Sequence, residues 1–174
     1  KESVEIMINS SRDIINELIG YGVDFATKDG ELDYTREGAH SKPRILFHED
    51  ITGKEITSTL LDVVRKLENV TIMEYVTMTD IIEKDNVCYG VLAKDANNNK
   101  MSIEAGYTIF ACGGIGGLYD HSTNYPHLTG DAKAIAVQRG VLLENVDDVQ
   151  IHPTTIYTKK KGRAYLISES DGGE

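Results

Sequence analysis

The sequence predicts a mixed α/β (α+β) fold in which helices flank an antiparallel β-meander. Three patterns carry that expectation. Apolar residues recur at helical spacing near the start of the chain, and they alternate at strand spacing in its middle. The alternation then runs into a glycine-rich turn followed by a short helix. At 174 residues and 40% hydrophobic content, the chain is long enough for one real core, or for one domain plus part of another. No apolar run approaches the roughly 20 residues a membrane helix needs. No basic leader followed by an apolar stretch opens it, so no signal peptide is expected. Its first residue is Lys1 rather than Met, which fits an excised segment.

Residues 2–22 read as helix, with Ile6, Ile14, Ile15, Leu18 and Ile19 at helical spacing. Ser10 or Ser11 is placed to cap a second helix from Arg12, and Gly20 and Gly22 supply the stop. Val23, Asp24 and Phe25 suggest a short extended piece before a turn at Asp29 and Gly30. A further helix is expected over residues 57–67, where Leu60, Leu61, Val64 and Leu67 share a face. From Val70 the period changes to that of strands, predicted at 70–76, 79–83, 87–93 and 101–111. Asp85-Asn86 and residues 95–99 are the turns between them, rich in side chains that accept left-handed backbone angles. Thr129 is read as the cap of a helix over 130–139 that Gly140 ends, with strand-like residues following at 141–143, 149–157 and 165–167.

A formal net charge of -10 argues against nonspecific nucleic-acid binding, which needs clustered Lys and Arg to neutralise phosphates. The one basic run, Lys159 to Lys161 with Arg163, reads as a solvated loop. Cys88 and Cys112 sit in apolar, strand-like contexts without paired-ligand spacing. They read as buried free thiols of a reducing cytoplasm, with no metal site.

Three motifs could carry chemistry. An apolar stretch enters Cys112-Gly113-Gly114-Ile115-Gly116-Gly117, whose glycines would let backbone approach a ligand and leave amides free for phosphate or ring oxygens. The spacing is not that of the G-x-G-x-x-G dinucleotide fingerprint, because Tyr119 falls at the third glycine position. Alone, the run reads better as a tight structural turn. Asp131, after Thr129-Gly130, is by itself an acid favoured by a helix dipole. The third motif is Gln150-Ile151-His152-Pro153-Thr154. Its imidazole precedes a proline that restricts the backbone, and it stands among hydroxyls, a compact donor set for a carboxylate.

The ordered set of glycine turn, Tyr119, Thr123-Asn124, Thr129-Gly130-Asp131 and Q-I-H-P-T resembles the flavoprotein family of L-aspartate oxidases, fumarate reductases and succinate dehydrogenases. The resemblance runs from about Glu2 to Glu169. It implies that residues 1–117 are part of an FAD-binding, Rossmann-like domain with the meander, and that 118–174 are part of an α+β capping domain. It implies FAD as cofactor, with Gly113, Gly114 and Asp131 at the flavin and His152 on a carboxylate of a C4 dicarboxylic substrate.

A second stretch, Thr35-Arg36-Glu37-Gly38-Ala39-His40-Ser41, looks like the aspartate oxidase version of its region; fumarate reductases and succinate dehydrogenases usually carry glutamine where Glu37 stands. A carboxylate there would hold the ammonium of L-aspartate and receive its proton. Taken alone, Glu37 would read as a surface residue beside Arg36. Leu166-Ile167-Ser168-Glu169 resembles a third family segment, whose hydroxyl and acid line the substrate site; with Thr154, that makes Ser168 and Glu169 substrate-binding candidates.

The chain departs from the family at Gly172, where an arginine is expected, and at Asp148, where relatives place a bulky apolar residue. The pyrophosphate-binding βαβ unit and a downstream arginine are missing from these 174 residues, so the expectation is an internal fragment, inactive by itself. The implied activity of the whole enzyme is oxidation of L-aspartate to iminoaspartate in de novo NAD biosynthesis. Fumarate or oxygen would be the electron acceptor and quinolinate synthase a partner, with cytoplasmic location and no nucleic acid or membrane. The alternatives are a fumarate reductase or succinate dehydrogenase flavoprotein subunit, and a non-catalytic fragment acting only as a binding module.

Overall fold

The computed structural model describes residues 1–36, 40–152, 155–159 and 162–167. They fall into two compact units that divide after Ile72.

In the first unit, α1 spans Glu2–Gly20 as one unbroken helix. Ser10 and Ser11 start no second helix. Their hydroxyls donate back to the carbonyls of Ile6 at 2.8 Å and Ile8 at 2.7 Å, which keeps both residues inside the helix. The chain then turns through Val23 and Phe25, each only 4% exposed and the most buried side chains of this unit. Strands β1 (Thr27–Lys28) and β2 (Glu31–Leu32) form a small hairpin about the Asp29-Gly30 turn. Both turn residues have positive φ, 53° and 85°, the geometry of the tight turns that suit strand twist.

Helix α2 covers Thr52–Val64, beginning five residues before the sequence pattern suggests. Polar contacts set that start. The Thr52 hydroxyl accepts the His48 N–H at 2.9 Å. Glu55 accepts the Asp24 N–H at 3.1 Å, a bond that holds its carboxyl below the usual carboxylate range.

The second unit is built on the predicted meander, β3 (Thr77–Lys84), β4 (Val87–Lys94) and β5 (Lys100–Glu104), joined antiparallel in that order. Asp85 and Asn86 make the first turn with φ of 55° and 61°. In the second turn, the Asp95 carboxylate accepts the amides of Asn97 at 2.8 Å and Asn99 at 2.9 Å. Helix α3, Asp131–Gln138, lies on this sheet. Ala132, Ile135 and Ala136, spaced i, i+3, i+4, bury one face, and Ile81 and Ala93 supply buried residues of the sheet. The Arg139 guanidinium clasps the Asp80 carboxylate through two N–H groups, joining the end of α3 to β3 and holding the Asp80 carboxyl below its ordinary pKa.

Four expectations need correction. Residues 70–76 form no strand, because Tyr75 adopts φ 59° in a turn that interrupts the extended run. The strand expected over 101–111 stops at Glu104, and from Gly106 the backbone joins no ladder. As a result Cys112 is exposed rather than buried, whereas Cys88 is half-buried. Thr129 does not cap α3: the N-cap is Gly130 at φ 73°, and the Thr129 hydroxyl donates instead to the Asp131 carboxylate at 3.0 Å. Finally, among the described residues the strands expected over 141–143, 149–157 and 165–167 reduce to an antiparallel bridge between Thr155 and Leu166. The region gains a short parallel pair that the pattern does not announce, β6 (His121–Ser122) with β7 (Gly162–Arg163).

Candidate functional site

The glycine turn is where the second unit changes from sheet to site. Packing explains two of its glycines. A Cβ on Gly116 would overlap the Asn124 side chain, and one on Gly117 would lie 2.7 Å from the carbonyls of Tyr125 and Pro126. The Gly117 N–H also donates to the Leu128 carbonyl at 2.9 Å, and residues 116–118 form a single 3-10 turn. These close approaches fold the loop 119–128 back over the turn. Gly113 and Gly114 differ. Gly113 sits at φ 70°, where a Cβ would come within 2.9 Å of a Leu128 methyl; among the described residues nothing lies within 4 Å of where a Gly114 side chain would begin, so the backbone at Gly114 is open to a ligand.

A cleft of about 780 Å³ opens between that loop and residues 148–152. It is lined by Gly116, Tyr119, His121, Ser122, Thr123 and Asn124 from the loop region, by Asp148, Gln150 and half-buried His152, and by Thr155 and Leu166. Ser122 orders the loop region, since its Oγ accepts the Asn124 N–H at 3.1 Å and pairs with the Asn124 amide nitrogen at 3.5 Å. His121, which lines the cleft, is tilted against Tyr157 at 6.2 Å, and within the loop Tyr125 is stacked with His127 at 5.6 Å. Hydroxyls, carboxamides and imidazoles on apolar walls can hold a small polar anion by hydrogen bonds and partial desolvation.

Asp131 and Gly113 are not among the residues that line this cleft. The Lys133 ammonium donates to the Gly113 carbonyl at 3.2 Å, tying the open end of the turn to the first turn of α3, where the Asp131 carboxylate sits. In the first unit, His40 has a buried Nδ1 with no hydrogen-bond partner among the described residues. The open glycine backbone and the carboxylate at a helix start fit a nucleotide cofactor that is bound through amides and hydroxyls.

Of the residues the sequence nominates, His152 enters the cleft, and Gly113, Gly114 and Asp131 group at the turn and α3. Glu37, Thr154, Ser168 and Glu169 lie outside the described residues. Ser122, His121 and Gln150 line the cleft without having been assigned a role; Gln150 stands inside the very motif that pointed to His152. Among the described residues, no group of three or more His, Cys, Asp or Glu side chains is placed to hold a metal, and no helix is long and apolar enough to cross a membrane.

A family model described as FAD binding domain matches residues 1–174, and the chain belongs to that family, whose cofactor is FAD. The L-aspartate oxidase of Clostridium acetobutylicum is 42% identical over 176 residues, covering 100% of this chain and 40% of that protein. That of Clostridium perfringens is 39% identical, over 99% of this chain and 39% of its own length. The chain therefore spans about 40% of the length of these relatives. Among solved structures, the Mycobacterium smegmatis Sdh1 complex with UQ1 superposes with TM-score 0.67 at 29% identity, over 75% of this chain and 24% of that one. A quinol fumarate reductase FrdA from E. coli superposes with TM-score 0.74 over 79% of this chain and 24% of that one; at 23% identity it speaks for the fold alone.

Proposed function

We propose that this chain is part of an FAD-dependent L-aspartate oxidase, with residues 1–117 contributing to the FAD-binding domain and 118–174 to the capping domain. The observation that carries the reading is the cleft that Gln150 and His152 line together with Ser122, Thr123 and Asn124. This donor set suits a dicarboxylate, and it belongs to a chain 42% identical to an L-aspartate oxidase along its whole length.

In this reading Gly113, Gly114 and Asp131 hold FAD, which when bound supplies the acceptor for a hydride. His152, with Thr154 or Ser168, grips a carboxylate of L-aspartate, and Glu169 lines the same site. Glu37 holds the ammonium and takes a proton from it as the Cα–H bond breaks, leaving iminoaspartate. A glutamine at position 37 would hydrogen-bond a dicarboxylate but could not stabilise the ammonium. Fumarate or oxygen is the terminal acceptor, and the product feeds quinolinate synthase in NAD biosynthesis in the cytoplasm. The 29% identity to Mycobacterium smegmatis Sdh1 supports a second reading, a fumarate reductase or succinate dehydrogenase flavoprotein subunit, against which Glu37 counts.

Mixing the full-length, flavin-loaded protein anaerobically with L-aspartate or with succinate separates the two. L-aspartate is expected to bleach the flavin and succinate not to. Glu37→Gln should slow bleaching by L-aspartate roughly ten- to a hundredfold while sparing fumarate reduction. Bleaching by succinate at the rate seen with L-aspartate would overturn the proposal in favour of the second reading.

A further inference from the structure

We infer that Arg163 is a positioning residue for the cleft, fixing Ser122 and Thr123, which line it together with His152. The identity of the ligand rests on the dicarboxylate reading above; the geometry does not. Arg163 ends the basic run that reads as solvated in the sequence, yet its contacts are specific. Its Nε–H donates to the Thr123 carbonyl at 2.9 Å, and its guanidinium carbon stands 4.3 Å from the centre of the Tyr125 ring. Its backbone pairs with Ser122 in the β6–β7 ladder, and the next residue, Ala164, donates its N–H to the Ser122 carbonyl at 2.7 Å.

These attachments all reach the short segment 122–125. Ser122 and Thr123 line the cleft whereas Arg163 does not, so Arg163 acts on a ligand only through them. The ladder it reinforces has two residues per strand, and so small a two-stranded sheet is marginal without side-chain support. Only an arginine fits both contacts, because its planar group can stack on a ring by its face while an edge N–H donates to a carbonyl. Ser122 in turn sets Asn124 through its Oγ. Releasing the clasp would therefore loosen the hydroxyl and carboxamide donors together and leave His152 in place.

The test compares Arg163→Ala, Arg163→Lys and His152→Ala in the full-length, flavin-loaded protein. Succinate binding is read from the flavin spectrum, KM and kcat from L-aspartate turnover, and local order from amide hydrogen exchange. Arg163→Ala should raise the succinate Kd and the L-aspartate KM about three- to tenfold, with kcat within about twofold of the parent. Exchange should quicken over residues 121–125 and stay unchanged in β3–β5. Arg163→Lys should recover part of the affinity, since an ammonium can stand over Tyr125 but lacks the planar fork.

Unchanged exchange over 121–125, or faster exchange there with unchanged KM and Kd, overturns the inference. If His152→Ala leaves succinate binding intact while Arg163→Ala weakens it, the substrate role of His152 falls and the clasp stands. Failure of the parent protein to bind succinate removes the ligand assignment, and the exchange measurement then decides the clasp by itself.

Discussion

Two stretches of the second unit carry the same strand-like sequence pattern and meet opposite fates. Residues 77–104 close into the β3–β5 meander, whose Ala93 is 2% exposed and whose Ile81 packs beneath α3. The stretch that follows, Tyr107-Thr108-Ile109-Phe110, joins no ladder and leaves Tyr107 96% and Ile109 89% exposed. Hydrophobicity does not separate them; the distance to a partner does. Asp85-Asn86 and the Asp95 turn return each meander strand onto its neighbour within a few residues, so every strand brings its partner with it. A strand entering a glycine turn and a helix is typical of parallel sheets, whose partners lie a crossover away in sequence. The meander is stable by local design, whereas residues 107–110 are a strand by composition only.

That contrast can be broken or sharpened by substitution, with effects read as shifts in urea denaturation of this chain. The largest is expected at Gly90, which sits at φ 135° beside a register shift in the β3–β4 ladder and where a Cβ would overlap the Ile103 carbonyl. Gly90→Val should cost roughly 3 kcal/mol or more, from strain and steric overlap together. Next comes Ile135→Ala, which empties a side chain only 6% exposed between α3 and the sheet and should cost about 2–4 kcal/mol.

A smaller loss is expected from acid. Arg139 depresses the Asp80 pKa in the folded chain, so the stabilisation from this pair is complete above the unfolded-state pKa. It disappears as pH falls through the lower folded-state value, and Asp80→Asn should flatten that part of the stability–pH profile. Smallest of all is Ile109→Ala, the same kind of truncation as at Ile135 but on an exposed side chain, expected to change stability by less than about 0.5 kcal/mol. A loss at Ile109 comparable with that at Ile135 would mean that residues 107–110 are part of the core after all.

The same distinction explains what could be read in advance. Helix α1, the meander and the Asp29-Gly30 and Asp85-Asn86 turns are written in neighbouring residues, and the periodicity shows them. The β6–β7 pair joins His121 to Gly162, and a two-residue ladder across some forty positions leaves no periodic trace. In the site, His152 and Gln150 stand in one contiguous motif, which is why the motif led to the cleft. The role of Arg163 depends on Thr123 and Tyr125, so the basic run around it was all the sequence could offer. The glycine turn was half legible: Gly116 and Gly117 serve loop packing, as a tight structural turn would, and of the two glycines assigned to a cofactor Gly113 packs at Leu128 while Gly114 stands in open space.

The central claim is that His152 in this cleft binds substrate rather than cofactor, and truncating it in the full-length protein tests that directly. His152→Ala should retain its FAD while the L-aspartate KM and the succinate inhibition constant rise together, by roughly ten- to a hundredfold, with kcat changed much less. A variant that loses FAD yet binds both dicarboxylates normally would contradict the account and make His152 a cofactor or structural residue.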